Sequence, residues 1–401
     1  MASENNYLFR APLLDVQQRV TGYLLASQGS TKGGESSSET TSRQLLASLA
    51  HARETPSGRF FIEVSSVALF AGELAGSPHH PLVLILSQED LLDKANQAQF
   101  GSWRELELGL ALRVADLATL ENRDNAPQLS RLSHVLVAHD HPEREAITRF
   151  ARHSSPPLRV VVDNIPGWQE LEACSGTGIE GIFADICRAP REIKQAVKLG
   201  PEAQQILQLM HLVQGDADIR NVEKALKSDL QLSYKLLRYI NSAGFGLEVE
   251  VESARHAVSM LGYAPLFRWR LLLLARTHTT GFSPALMQAA MIRGRFAELL
   301  GQDFLTRREA ENLFIVGMFS FLDRLLGTPV PEVLAQLVLP PAVSEALLSR
   351  EGVYAPVLAL VEACEGLDGR AAHFSAPMSM SAEDVNKAHV SAILWAQNIK
   401  M

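Results

Sequence analysis

Short apolar runs recur through the first half of this chain, separated by helix-type segments, and then stop. The runs are Arg19–Leu25, Phe60–Ser65, Leu82–Leu86, Leu108–Leu112, His134–Ala138, Arg159–Asp163 and Gly181–Ile186. Several, such as PLVLIL and LRVVVD, are apolar without alternation, as strands buried on both faces should be. Between them Ser42–Arg53, Gln88–Ala98, Pro142–His153 and Pro166–Cys174 read as helices. Repeated strand–helix units with short connections predict a parallel sheet, open or closed. About eight strands in ~190 residues suit a small (β/α) barrel. From Pro190 onward the pattern is helical only. Ile219–Asn241, entered through Asp218, spaces Val222, Leu226, Leu230, Leu236, Leu237 and Ile240 as one helix face would. The expected organisation is an α/β domain over residues 1–190 and an all-α domain over 195–401, the latter able to fold alone.

Charge and composition narrow the function. The chain has 401 residues, a net charge of -8 and 47% hydrophobic residues, so it can bury several cores. Residues 1–190 hold 16 basic and 23 acidic side chains, and residues 191–401 hold 21 and 22. The N-terminal part carries nearly all the negative charge, which argues against nucleic acid as a partner. Apolar runs such as Leu271–Ala275, closed by Arg270 and Arg276, are far shorter than the ~20 residues of a membrane span. The opening MASENNYLFRAP has no basic segment followed by an apolar one. Three cysteines, Cys174, Cys187 and Cys364, without C-x-x-C spacing point to a reducing compartment. A soluble, cytoplasmic protein with no membrane contact is expected.

Several motifs have ordinary explanations. Gly176-Thr-Gly178-Ile-Glu-Gly181 matches G-x-G-x-x-G, but it follows a helix and leads into a strand, the reverse of a dinucleotide site. It reads as an αβ loop. His139-Asp140-His141 closes a strand just before Pro142, where helix entry is the simpler role than metal binding. The Ser27–Ser42 segment, rich in Gly, Ser and Thr, is expected to be a loop. Arg268, Arg270, Arg276, Arg293 and Arg295 are expected on a solvated helix surface. Asn241-Ser242-Ala243-Gly244 is expected to stop a helix, with Asn241 or Ser242 bonding its free carbonyls.

Two stretches resemble known families. FRAPLLDVQQRVTGYLLAS is similar to the first hairpin of EAL domains, the barrel phosphodiesterases of cyclic di-GMP. DADIRNVEKALKSDLQLSYKLLRYINSAGFG, with SARHAVSMLGYAPLFRWRLLLLA after it, resembles the HDOD domain, a helical relative of HD phosphohydrolases. GMFSFLDRLLGTPVPEVLAQLVLPPAVSEALL continues that pattern as it occurs in fused EAL–HDOD signalling proteins. The resemblance implies a degenerate EAL-like (β/α) barrel followed by an all-helical HDOD-like domain.

It also implies where catalytic groups would lie. An EAL enzyme holds two metal ions mainly with carboxylates and keeps a lysine near the attacking water. Here Leu24 stands where the signature glutamate belongs, Glu63 replaces an asparagine and Ile85 replaces the next glutamate. Arg113 and Val114 replace paired aspartates, and Leu136 and Ala138 take the lysine and aspartate places. Asp163 alone keeps a carboxylate in place of glutamate. The His-Asp pair of an HD hydrolase is replaced by Ser320 and Phe321, and Asp323 has no histidine neighbour. No catalytic residue, cofactor site or metal site is therefore expected. The expectation is a non-enzymatic signalling or scaffolding protein that binds other signalling proteins, with cyclic di-GMP not expected to bind. The alternatives are a cyclic di-GMP receptor without turnover, or a phosphodiesterase with an altered metal site built on Glu63, Asp163 and His139.

Overall fold

The computed structural model describes residues 7–27, 58–63, 82–97, 108–114, 116–165, 167–174, 178–185, 240–241, 251, 283–335, 337, 339–366 and 369–399. The helix expected over Ser42–Arg53, nearly all of Ile219–Asn241, residues 28–42 and Arg268, Arg270 and Arg276 lie outside these residues. The chain divides into two compact units. One combines Met1–Pro190 with Glu362–Val390, and the other combines Arg191–Val361 with Ser391–Met401. The change in secondary structure near residue 190 thus marks one division, and Glu362–Val390 returns to the first unit.

The first unit is built on a closed eight-stranded barrel in sequence order. Its strands are β1 (Leu8–Leu14), β2 (Val20–Ser27), β3 (Arg59–Glu63), β4 (Leu82–Leu86), β5 (Gly109–Arg113), β6 (His134–Ala138), β7 (Arg159–Ile165) and β8 (Gly181–Ala184). β1 runs antiparallel to both neighbours, β2 and β8, and every other pairing is parallel. Each of the seven apolar runs forms a strand, and β1 is an addition that pattern alone did not mark. Gln88–Ala98 forms two short helices, Gln88–Leu92 and Lys94–Gln97, because Asp93 takes an extended conformation between them. Ser87 opens the first with a reciprocal capping box to Asp90, which satisfies two amides a helix start leaves free.

β1 is buried along its whole length. Leu13 faces the barrel core, so the period of two sends Leu8 and Arg10 outward. The returning segment covers that outer face. Leu8 N–H donates to Asn386 Oδ1 at 2.7 Å, and the Tyr7 and Ser375 hydroxyls are 2.5 Å apart. Arg10 Nη2 donates to Glu365 Oε1 at 3.1 Å and its Nη1 donates to His389 Nε2. Both side chains of the Arg10–Glu365 pair are 2% exposed. Burial, and then Arg10, hold the His389 pKa well below the ordinary histidine value.

The described part of the second unit is entirely helical in its regular structure. Its main packing joins the Pro284–Gly301 and Arg307–Phe319 helices. They cross where Gly294 meets Gly317. A Cβ on Gly317 would lie 2.7 Å from Arg293 O and 2.8 Å from Gly294 Cα, and one on Gly294 would lie 2.7 Å from Phe314 O. Glycine is needed here for close approach rather than for unusual dihedrals. Among the described residues no helix is long and apolar enough to cross a membrane.

Among the described residues the Asn241 side chain bonds Val251, while Ser242 and the carbonyls of residues 231–239 lie outside them. Asn241 Nδ2 donates to Val251 O at 3.0 Å and its Oδ1 accepts from Val251 N–H at 2.9 Å. The side chain thus ties the two ends of the 242–250 connection. Asn241→Ala should lower stability by about 1 kcal/mol per lost bond, read as a fall in the melting temperature. An unchanged melt would show that the clamp contributes nothing.

Candidate functional site

In a (β/α) barrel the C-terminal strand ends carry function, and side chains from alternate strands share a layer. β3 and β5 here end in Glu63 and Arg113, and β7 carries Asp163 two residues before its end. Phe61, Ala111 and Val161, two residues earlier on the same strands, belong to the barrel core, so the period of two turns the three charges inward as well. Arg113 bridges the two acids. Its Nε and Nη2 lie 3.0 and 2.8 Å from Glu63 Oε1, and its Nη1 donates to Asp163 Oδ2.

Exposure differs sharply across this triad. The Glu63 and Arg113 side chains are 50% and 37% exposed, and that of Asp163 is 8% exposed. Burial works against the Arg113 charge, yet Glu63 and Asp163 outweigh it and its pKa lies above the ordinary value. Burial also raises the Asp163 pKa, and Glu63 and Asp140 add to that, while Arg113 opposes it. Asp163 Oδ1 is buried and has no hydrogen-bond partner among the described residues.

Beneath the triad the barrel is filled with hydrocarbon. Ile85 and Leu136 pack with Leu13, Phe61, Val83, Ala111, Val161 and Phe183, and Leu24 lies against them. Val114 is buried beside β5, and Ala138 pairs in register with Asp163 at the end of β6. The structure therefore brings together Glu63, Arg113 and Asp163 and places Leu24, Ile85 and Leu136 in the apolar interior. These residues do not fit a pair of dications. Such ions need several oxygen ligands, and both carboxylates here already serve a guanidinium.

His139 and Asp140 form the turn after β6. The His139 backbone N–H donates to Asp163 O, and its carbonyl accepts from Arg144 Nη1, both at 2.9 Å. His141 Nδ1 accepts the Glu143 N–H at 3.1 Å, just before the Arg144–His153 helix, which agrees with a helix-entry role. Of the glycine motif, Gly178 lies just before β8 at φ +77, and Gly176 and Thr177 lie outside the described residues.

The opposite end of the barrel holds a cluster that sequence reasoning missed. Glu180 Oε1 accepts from Arg59 Nη1 at 2.5 Å and from Arg159 Nη1 at 3.4 Å, and His134 Nε2 lies 3.5 Å from Glu180 Oε2. Burial, with Arg59 and Arg159 nearby, pushes the His134 pKa down to about 3. Arg59, His134 and Arg159 each begin a strand, so the signal was a basic residue at the entry of three of the apolar runs.

In the helical unit, Ser320 Oγ donates to Gly317 O at 2.6 Å and accepts from Arg293 Nη1 at 2.7 Å. Phe321 is fully buried, with the Arg293 guanidinium 3.7 Å from its ring centroid. Arg293, expected on a solvated face, is buried instead and spends its charge on these contacts. Arg295 is partly buried, with Glu298 at 2.8 Å.

Residues 199–328 match the HDOD domain family. Cyclic di-GMP phosphodiesterase CdgJ of Vibrio cholerae is 32% identical over 212 residues, 52% of this chain and 49% of that protein. The uncharacterized protein YuxH of Bacillus subtilis is 27% identical over 196 residues, 48% of this chain and 47% of that protein. The chain thus spans about half the length of the curated relatives it matches. Among solved structures, the EAL-like domain protein YdiV aligns with 46% of this chain and 92% of its own at 13% identity and a TM-score of 0.33. The expectation of a non-enzyme is corrected by the first relative. A protein 32% identical to this one is named a phosphodiesterase, so replaced side chains at one barrel end do not deny the chain an activity. The region that matches the HDOD family, residues 199–328, thus follows the closed eight-stranded barrel in the chain.

Proposed function

We propose that this chain is a signal-transduction protein whose HDOD-bearing half delivers its output by binding other signalling proteins. The observation that carries this reading is the packing at Ser320 and Phe321, inside a region that matches the HDOD family. Buried Phe321, stacked by Arg293, fills the place where the resemblance puts a metal-binding pair. A helical domain packed in this way acts through its outer surface. The test is capture of a protein partner by the full chain, followed by calorimetry with both proteins purified. A partner should bind at micromolar affinity or better, and Arg113→Ala should leave that affinity unchanged.

The likeness to a named cyclic di-GMP phosphodiesterase favours a second reading, in which the barrel mouth handles that nucleotide. Arg113 is part of the support, since a guanidinium matches phosphate geometry. Cyclic di-GMP titration and chromatography of incubations with Mg²⁺ or Mn²⁺ separate the two. Turnover that Asp163→Ala abolishes, in a chain that captures no partner, would overturn the first reading and establish the second.

A further inference from the structure

The N-terminal end of the barrel, opposite the mouth, gathers arginines. Arg59 and Arg159 open β3 and β7, and Arg19 stands just before β2, whose Gly22 pairs with Arg59. Arg131 is exposed in the connection into β6, and Arg152 is exposed in the last turn of the Arg144–His153 helix. A Cβ on Gly178 would collide with the Arg152 guanidinium, which therefore covers this glycine two residues before Glu180. The acids beside them are fewer. Asp15 bonds Arg19 at 2.9 Å, Glu180 holds Arg59 and Arg159, and Glu172 lies in the last turn of the Trp168–Cys174 helix.

The middle of this end is built as well as charged. Arg59 and Arg159 each direct one nitrogen at Glu180 Oε1, and among the described residues neither side chain bonds another group. A guanidinium fork prefers two parallel bonds to a carboxylate. With side chains 36% and 51% exposed, both forks remain open to a second one. Glu180 keeps the two like charges side by side, and the buried His134 behind it, held neutral, does not draw it away. Among the described residues no exposed Phe, Tyr or Trp stands here to stack on nucleobases, since exposed Phe304 belongs to the other unit. The exposed apolar side chain at this end is Val16, between β1 and β2. A net charge of -8 also repels a long polyanion.

We propose that the N-terminal end of the barrel is a docking surface for an acidic segment of another protein, whose carboxylates are taken by Arg59 and Arg159. Arg19, Arg131 and Arg152 widen the positive field that steers it in. This surface belongs to the barrel and does not rest on the output proposed for the helical half.

The experiment titrates the full chain with a labelled oligoglutamate peptide, read by fluorescence anisotropy at low and at raised salt. The peptide should bind, and its affinity should fall with salt because exposed charges are screened. Arg159→Ala should weaken binding at least about tenfold, the effect of losing one charge-assisted carboxylate bond. Arg159→Lys, which keeps the charge but not the fork, should recover only part of that loss. Arg59→Ala serves if the first variant does not fold, and the same weakening is expected. Arg307→Ala, in the helical unit with a side chain 94% exposed, should leave the affinity unchanged. The proposal fails if the peptide does not bind at low salt, or if Arg307→Ala weakens it as much as Arg159→Ala. It also fails if an oligothymidylate or phosphatidylserine vesicles bind more tightly at the same arginines, since the surface would then serve nucleic acid or a membrane.

Discussion

Arg10→Met should lower the stability of the barrel unit by about 3–5 kcal/mol, the usual cost of removing one partner from a buried ion pair. Arg10 and Glu365 are both almost wholly shielded, and Arg10 also donates to His389. Methionine fills much of the volume but leaves the Glu365 charge without its guanidinium. The loss should appear in urea unfolding, and amide exchange should locate it at β1 and at residues 371–390. Arg10→Met combined with Glu365→Leu should recover most of the loss, because hydrophobic replacement of both partners is often neutral or stabilising. A single variant as stable as the wild type would mean that water reaches Glu365 and the pair holds nothing in place.

Gly317→Ala should be destabilising by about 1–3 kcal/mol, although alanine is the better helix former. Propensity favours alanine by about 1 kcal/mol. Against that, the new methyl would meet Arg293 O and Gly294 Cα, backbone atoms that cannot rotate away, at 2.7 and 2.8 Å. The two helices would have to separate, and overpacking of this kind costs about 1–3 kcal/mol before the neighbours lose contact. Denaturant unfolding of the full chain measures it. A stabilised variant would show that the helices cross farther apart than described.

The barrel was legible because its strands are buried on both faces. Leu82–Leu86 and His134–Ala138 read as continuous apolar runs, and short helices between them leave few alternatives to a parallel sheet. β1 was harder. It is as apolar as the others, but Arg10 and Pro12 interrupt it, and its pairing is antiparallel on both sides. A charge in the middle of an apolar run was itself the clue, since it must find a distant partner when buried. That partner, Glu365, lies hundreds of positions away, and no local pattern connects the two.

At the site, the sequence showed which side chains replace the expected ligands, and not what the replacements do together. Residue types at Glu63, Arg113 and Asp163 are plain in the sequence, whereas their meeting depends on the layer geometry of alternate strands. The same holds for Phe321 and Arg293. Arg293 read as a surface cation until the close helix crossing at Gly294 and Gly317 put it over the Phe321 ring.

The return of Glu362–Val390 to the first unit bears on how the protein is made and how it could be rearranged. Domains usually fold in order as the chain leaves the ribosome. Here β1 emerges long before the residues that shield its outer face. Until then Arg10 has no Glu365, and the outer side of β1 stays open. The nascent barrel must wait, holding an unfinished surface while the whole helical half is synthesised. The same threading makes the two halves poor modules for exchange. A recombination joint near residue 190 would separate Arg10 from its counter-ion, so a new C-terminal domain would have to bring its own cover for the first strand.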